Sequence, residues 1–441
     1  MKKYTNFKKN NEFSREINNL IPGGAHTYSK GDDQFPFLSP KGIKRGKGVY
    51  IWDIDDNKYL DWTMGLTSVC LGHAYEKVIN AVKKQLDYGV NFQRPADIEL
   101  TFAKLLKEVF PKYDMFKFAK NGSTVTTAAV KLSRAYTLRE KVAVCKDQPF
   151  FSYDDWFIGS TKCDFGIPKS TKELTVKFSY NDIESVKQMF KENEGEIACL
   201  ILEAVKFDQP KDNFLIELQN ECKKNGTVFI LDEMITGFRY ALGGAQEYFG
   251  LEPDLSTFGK AVGNGFSVAF LAGKKDIMKL GGIEEGLKKV FLISTTHGAE
   301  THGLAAAIEV INELKDENII EKNWEKGKYI TTNANKIIED LGLTKYIEII
   351  GYPIFPAVIF KDYNLNVSME FRTLFMQEMI TRGVLFQGVF TIAHEHNYDD
   401  INLTLKVFKE SCEVYLKAIN NKSTEGLLIG KATKPVFREI N

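Results

Sequence analysis

Three places along the chain carry residues that could do chemistry. Asp232 comes directly after Thr227-Val-Phe-Ile-Leu231, a short and mostly apolar run. An acid in that position sits at the end of a buried strand. It costs free energy there unless it meets a positive partner, so it serves as a cap, a structural ion pair or a ligand contact. Lys260 ends Leu255-Ser-Thr-Phe-Gly259-Lys260, a second short apolar run closed by a glycine. A lysine shielded from water has a lowered amine pKa and is suited to Schiff-base chemistry. The third place is Lys120-Asn121-Gly122-Ser123-Thr124, which opens a helical stretch over 125–135. Small residues at a helix start expose free N–H groups and can hold an anion, although many such starts are only caps.

Together these are the parts needed to hold pyridoxal phosphate. A lysine binds the aldehyde, a carboxylate keeps the pyridine nitrogen protonated, and an N–H nest takes the phosphate.

The elements that must position them follow from the hydrophobic pattern. Residues 197–205 read as a strand, Leu215, Leu218 and Cys222 as one face of a helix ended by Gly226, and 227–231 as the next strand. Strand, helix and strand in that order make a βαβ unit, hence a parallel sheet covered on both faces. Ligands bind beyond the carboxyl ends of such strands. Upstream, GKGVYIWDIDDNKYLDW at 46–62 alternates around a polar turn and predicts a β-hairpin. Helical spacing recurs at Val78, Ile79, Val82 and Leu86, and again from Leu100 to Val109. The stretch from about residue 320 is helix-rich, with one strand candidate at 356–360. The expected architecture is α/β: 75–320 as a large domain with a mostly parallel sheet, and 1–74 with 321–441 as a smaller α+β domain.

The chain has 441 residues, with 58 Lys+Arg against 58 Asp+Glu. This zero balance argues against nucleic acid or an anionic membrane as partner. No apolar run reaches the length of a bilayer span, and no secretory signal is visible. The six scattered cysteines read as reduced thiols, and the expected location is the cytoplasm. His394-Glu395-His396 does not have metal-ligand spacing and reads as a turn or polar patch, so no metal is expected. His297 is a candidate to line the active site, and His302 reads as structural.

LDEMITGFRYALGGAQEYFGLEPDLSTFGKAVGNG (231–265), GVYIWDIDDNKYLDW (48–62) and STTHGAETHGLAAA (294–307) carry a family resemblance over nearly the whole chain. The sequence resembles class III, fold type I pyridoxal phosphate-dependent aminotransferases, in the branch similar to glutamate-1-semialdehyde 2,1-aminomutase. The resemblance implies that Lys260 binds the cofactor aldehyde and Asp232 pairs with the pyridine nitrogen. It implies that Gly122 and Ser123 hold the phosphate, that Met234 lies under the ring and Phe150 over it, and that Glu203 lies beneath the cofactor. It further implies a homodimer in which Thr296 reaches the neighbouring subunit's cofactor.

Some positions depart from the family pattern. Thr124 stands where relatives often carry an acid, and Phe150-Phe151 replaces a Tyr-His pair. Lys30 stands where the aminomutases place the arginine that grips the substrate carboxylate, and a lysine lacks that bidentate fork. Lys30, Arg94 and Arg239 are the candidate substrate-binding cations. The activity implied is ping-pong amino transfer from a small-molecule donor, L-glutamate, to a ketone or aldehyde acceptor such as a sugar or secondary-metabolite intermediate. The alternatives are the intramolecular aminomutase reaction and a non-catalytic interaction protein that keeps the fold.

Overall fold

The structure is a computed structural model and describes residues 3–440. The chain divides into two compact units. One comprises the chain up to Tyr75 together with Glu321–Val436, and the other comprises Glu76–Ile320 with a tail from Phe437.

The second unit is built on a seven-stranded sheet. In spatial order its strands are Met115–Ala119, Ala269–Gly273, Leu255–Phe258, Val228–Asp232, Ile197–Leu202, Lys141–Cys145 and Thr175–Phe178. The last five run parallel, and Ala269–Gly273 is antiparallel to both of its neighbours. Every residue of Ile197–Leu202 and of Val228–Asp232 is buried. That explains why these strands read as apolar runs rather than alternations, since both faces are covered. Cys199, Ile201 and Ile230 pack with Ala128, Ala129 and Leu132 of the helix Gly122–Thr137. Leu200, Leu202, Phe229 and Leu231 point the other way, onto Leu215, Leu218 and Cys222 of the helix Phe214–Lys224. The two layers hold the central strands in register, and this register fixes where the strands end.

In the first unit, Tyr50–Asp53 pairs antiparallel with Lys58–Asp61 around the 54–57 turn, where Asp56 takes a φ of 64°. This is the expected hairpin. Asp53 locks it: Oδ1 accepts from the backbone N–H groups of Asp55 and Asn57, and Oδ2 from Tyr59 and Asn10. The single strand expected in the C-terminal stretch is three. Ala357–Phe360 pairs with Ile347–Ile350, and Val384–Leu385 joins the hairpin sheet in parallel beside Lys58–Asp61. The His394-Glu395 turn is present, but His396 is no part of a polar patch. It is fully buried and stacks on Trp62 with ring centroids 4.1 Å apart. No cluster of metal-binding side chains occurs among the described residues, and none of their helices is long and apolar enough to cross a membrane.

Candidate active site

Three adjacent parallel strands of the second unit bring their carboxyl ends to one edge. Leu202 is opposite Leu231, which puts Glu203 beside Asp232, and Asp232 is itself opposite Thr257 on the next strand. Lys260 follows that strand by two residues, across Gly259. The backbone at Lys260 is left-handed, with φ 48°. A side chain with a Cβ pays roughly 1–2 kcal/mol for that conformation, and such strain concentrates at functional sites.

Asp232 is buried, and only its Oδ1 is engaged, by the Met234 N–H at 2.9 Å and the Thr257 hydroxyl at 3.1 Å. Oδ2 has no hydrogen-bond partner among the described residues. Burial, reinforced by the charge of Glu203, pushes the Asp232 carboxyl well above the usual range. Loss of water likewise pulls the Lys260 amine down; the charge of Lys206 adds to this, and those of Glu203 and Asp232 oppose it. A carboxyl held up and an amine held down share one sheet edge, which is the pattern of a site built to move protons.

Glu203 is held on both sides. Its backbone exchanges two hydrogen bonds with the Gln148 side chain, at 2.6 and 2.8 Å. Its carboxylate takes Lys206 Nζ at 3.0 and 3.3 Å. Lys206 and Gln148 carry no sequence signal that singles them out, since one is a lysine among many and the other acts through backbone atoms 55 positions away.

Helix Gly122–Thr137 begins at the same end of the sheet. Its N-cap is Asn121, whose Oδ1 accepts from the Thr124 N–H at 3.0 Å and the Thr124 hydroxyl at 3.1 Å. Thr124, the departure from the family's acid, is thus part of the cap. The backbone N–H groups of Gly122 and Ser123 have no acceptor among the described residues. The Ser123 hydroxyl accepts from the Tyr153 N–H at 3.0 Å, so its own proton is left to donate. Met234 ties the cradle to the lysine turn. A Cβ on Gly122 would stand 2.9 Å from the Met234 methyl, and one on Gly259 only 2.3 Å from it. Both positions must therefore be glycine while the thioether stays between them.

The other candidates are placed as follows. Phe150 is 45% exposed and lies beside Phe437, whereas Phe151 is buried against Phe157. Arg239 is buried and donates from Nε to the Ile235 carbonyl at 3.1 Å. Arg94 is exposed. Thr296 is exposed, and its carbonyl accepts from Asn91 at 3.0 Å. His297 bonds Glu300 at 2.9 Å, and Glu300 also pairs with Lys120. Lys30 belongs to the first unit. The most consequential residue that the sequence reading missed is Glu233. This buried acid accepts from the backbone N–H groups of Ala245 and Gln246, and so caps the helix Ala245–Phe249 from twelve positions upstream.

Comparison with known proteins identifies the family. The model of the family described as Aminotransferase class-III matches residues 28–421. The chain is 30% identical over 431 residues to a glutamate-1-semialdehyde 2,1-aminomutase of Sulfurihydrogenibium azorense, covering 93% of this chain and all of that one. It is 29% identical over 405 residues to a 3-aminobutyryl-CoA aminotransferase of Cloacimonas acidaminovorans, covering 90% and 94%. Among solved structures, the FumI protein of Sphingopyxis sp. MTA144, in its PLP internal aldimine form, superposes with a TM-score of 0.86 at 22% identity over 95% of this chain and 99% of that one, a likeness of fold. The sheet edge, the glycine-lined cradle and a family match over most of the length lead to one conclusion: the chain belongs to the class III aminotransferases, enzymes that work with pyridoxal 5′-phosphate.

Proposed function

We propose that this protein transfers an amino group from L-glutamate to a ketone or aldehyde acceptor, with Lys260 and Asp232 as its catalytic residues. The observation that carries the reading is the shared sheet edge, where a desolvated lysine on a left-handed turn stands two residues past the strand that pairs with Asp232. The donor set fits the cofactor. Asp232 Oδ2, the N–H groups of Gly122 and Ser123, and the Ser123 proton are unused, and they are the right chemistry for a pyridinium and a phosphate. When bound, pyridoxal phosphate supplies an electron sink for the carbon that loses its proton. The chain supplies the rest. Gly122 and Ser123 hold the phosphate, while Met234 and Phe150 bracket the ring. Asp232 would accept a hydrogen bond from the ring nitrogen and keep it protonated, and the Lys260 amine, its pKa pulled down to about 8 by desolvation, would carry a proton at the reacting carbon. Glu203, locked by Gln148 and Lys206, lies beside Asp232 at the same sheet edge.

The same residues would serve the aminomutase reaction, and the full-length relatives of that name favour it as a second reading. Lys30 in place of the carboxylate-gripping arginine favours transfer between molecules. The two separate cleanly when glutamate-1-semialdehyde is the only substrate. Steady formation of 5-aminolevulinate would establish the mutase and sink the transferase reading, whereas the transferase leaves the compound without catalytic turnover.

The reading includes a homodimer, since the exposed Thr296 loop and its neighbour Phe291, 70% exposed, form a surface suited to a second copy of the chain. It also includes a reducing, cytoplasmic setting, which six free cysteines support.

A further inference from the structure

Arg372 lies near the start of the helix Met369–Thr381, where a cation opposes the helix dipole. Its guanidinium is largely withdrawn from water, and this alone pulls its pKa down to about 10. Its one side-chain hydrogen bond among the described residues runs from Nη2 to the Gln387 carbonyl at 2.7 Å, and no carboxylate pairs with it. Arg382, at the other end of the same helix, shows the contrast. It pairs with Glu378 at 2.6 Å and Glu410 at 2.9 Å, as a structural arginine should.

The backbone is shaped around the unpaired guanidinium. A Cβ on residue 388 would stand 3.1 Å from both Nε and Nη2 of Arg372, and Gly388 takes a φ of +85°, so glycine lets the chain pass against the fork. Gln387 also links this spot to the turn Tyr28–Lys30, because its side-chain amide donates to the Ser29 carbonyl at 3.4 Å. The next residue, Lys30, is a second cation without an acid partner among the described residues, and loss of water alone lowers its amine pKa.

An unpaired, desolvated guanidinium is expensive. Its Nε and Nη1 donors remain unspent and Nη2 keeps a second hydrogen, so one two-nitrogen edge of the planar group is left to match a carboxylate or phosphate. We propose that Arg372, with Lys30 as its second cation, forms an oxyanion site within the unit made of residues up to 75 and 321–436, taking the phosphate or carboxylate group of a small molecule. The inference stands apart from the transaminase reading, because it concerns the grip on an anion and not the chemistry done to it.

Calorimetric titration of the cofactor-loaded full chain tests it, first with inorganic phosphate and then with succinate. Loading fills the cradle at Gly122 and Ser123, so phosphate cannot report on that place. At least one of the two anions should bind saturably at one per chain. Arg372→Met should weaken that binding at least tenfold without lowering the melting temperature, and Lys30→Met should weaken it severalfold. Arg372→Lys keeps the charge and loses the fork, so it should bind less tightly than wild type, and it carries the test should the methionine variant misfold. An anion that raises the L-glutamate concentration needed for half-conversion stands in for the substrate's own acid group. One that leaves it unchanged is a separate effector. The site is refuted if wild type binds neither anion saturably, or if both Arg372 variants bind as wild type does. An unchanged Lys30→Met removes the second cation and overturns the two-cation site. If phosphate binds while glutamate does not react, the transaminase reading fails and the site stands.

Discussion

Replacing Asp232 by Asn separates what the carboxylate does for the fold from what it does for the cofactor. Both hydrogen bonds seen by Asp232 end on Oδ1, from the Met234 N–H at 2.9 Å and the Thr257 hydroxyl at 3.1 Å. An asparagine can keep both through its carbonyl oxygen, which leaves its NH2 in the place of the unused Oδ2. The local fold should survive. The ring nitrogen would then meet a donor where it needs an acceptor, and a charge-assisted hydrogen bond worth about 1.5–3 kcal/mol is lost. At 1.36 kcal/mol per decade this is a loss of roughly 10–150-fold in the rate of the L-glutamate half-reaction.

Stability of the cofactor-free protein should move the other way. The folded-state pKa of Asp232 is raised by burial and by Glu203, so the folded state favours the neutral acid. The group contributes least at pH values above its folded pKa, where wild type must bury a charge. Asp232→Asn removes that cost, so the variant should unfold at equal or higher urea concentration than wild type at pH 8, with the difference shrinking as the pH falls. Half-reaction rates near those of wild type, or a variant that unfolds much more easily at pH 8, would refute the reasoning.

Two other substitutions test separate parts of the structure. Lys260→Gly should be more stable than Lys260→Ala in the cofactor-free protein by about 1 kcal/mol, because only glycine takes the φ of 48° without strain; equal urea midpoints would mean the turn relaxes on substitution. His396 is buried against Trp62, and burial pulls its pKa down to about 3 from 6.5. The unfolded chain therefore binds the extra proton across that window, and stability should fall as pH drops from about 6.5, by up to roughly 5 kcal/mol. His396→Phe keeps a stacked ring and should flatten this part of the pH–stability curve; an unchanged slope would place the acid sensitivity elsewhere.

What the sequence made legible follows from how each element is built. Ile197–Leu202 and Val228–Asp232 are buried on both faces, so each appears as an apolar run with an acid at or just past its end. The hairpin was legible for the opposite reason: it alternates around a polar turn. Ile347–Ile350 and Val384–Leu385 were not, and two residues, in the second, are too few to carry a period. The latter is a strand only because Leu60 and Asp61 are there to pair with it. Met115–Ala119 and Ala269–Gly273, which close one edge of the large sheet in antiparallel register, likewise depend on partners far away in sequence. In the site, Lys260, Asp232 and the 122–124 helix start each follow a recognisable local pattern. Glu233, Gln148 and Lys206 act across the fold on atoms that no spacing reveals. Arg372 is marked only by the lack of an acid partner among the described residues, which is a property of three dimensions.

The most direct test of the central claim is a half-reaction. The protein loaded with pyridoxal phosphate is given L-glutamate as its only amino compound, and 2-oxoglutarate is assayed against chain concentration. The account predicts one equivalent of 2-oxoglutarate per active site, together with loss of the yellow absorbance, and neither change in Lys260→Ala. Full cofactor loading with no 2-oxoglutarate at any glutamate concentration would contradict it.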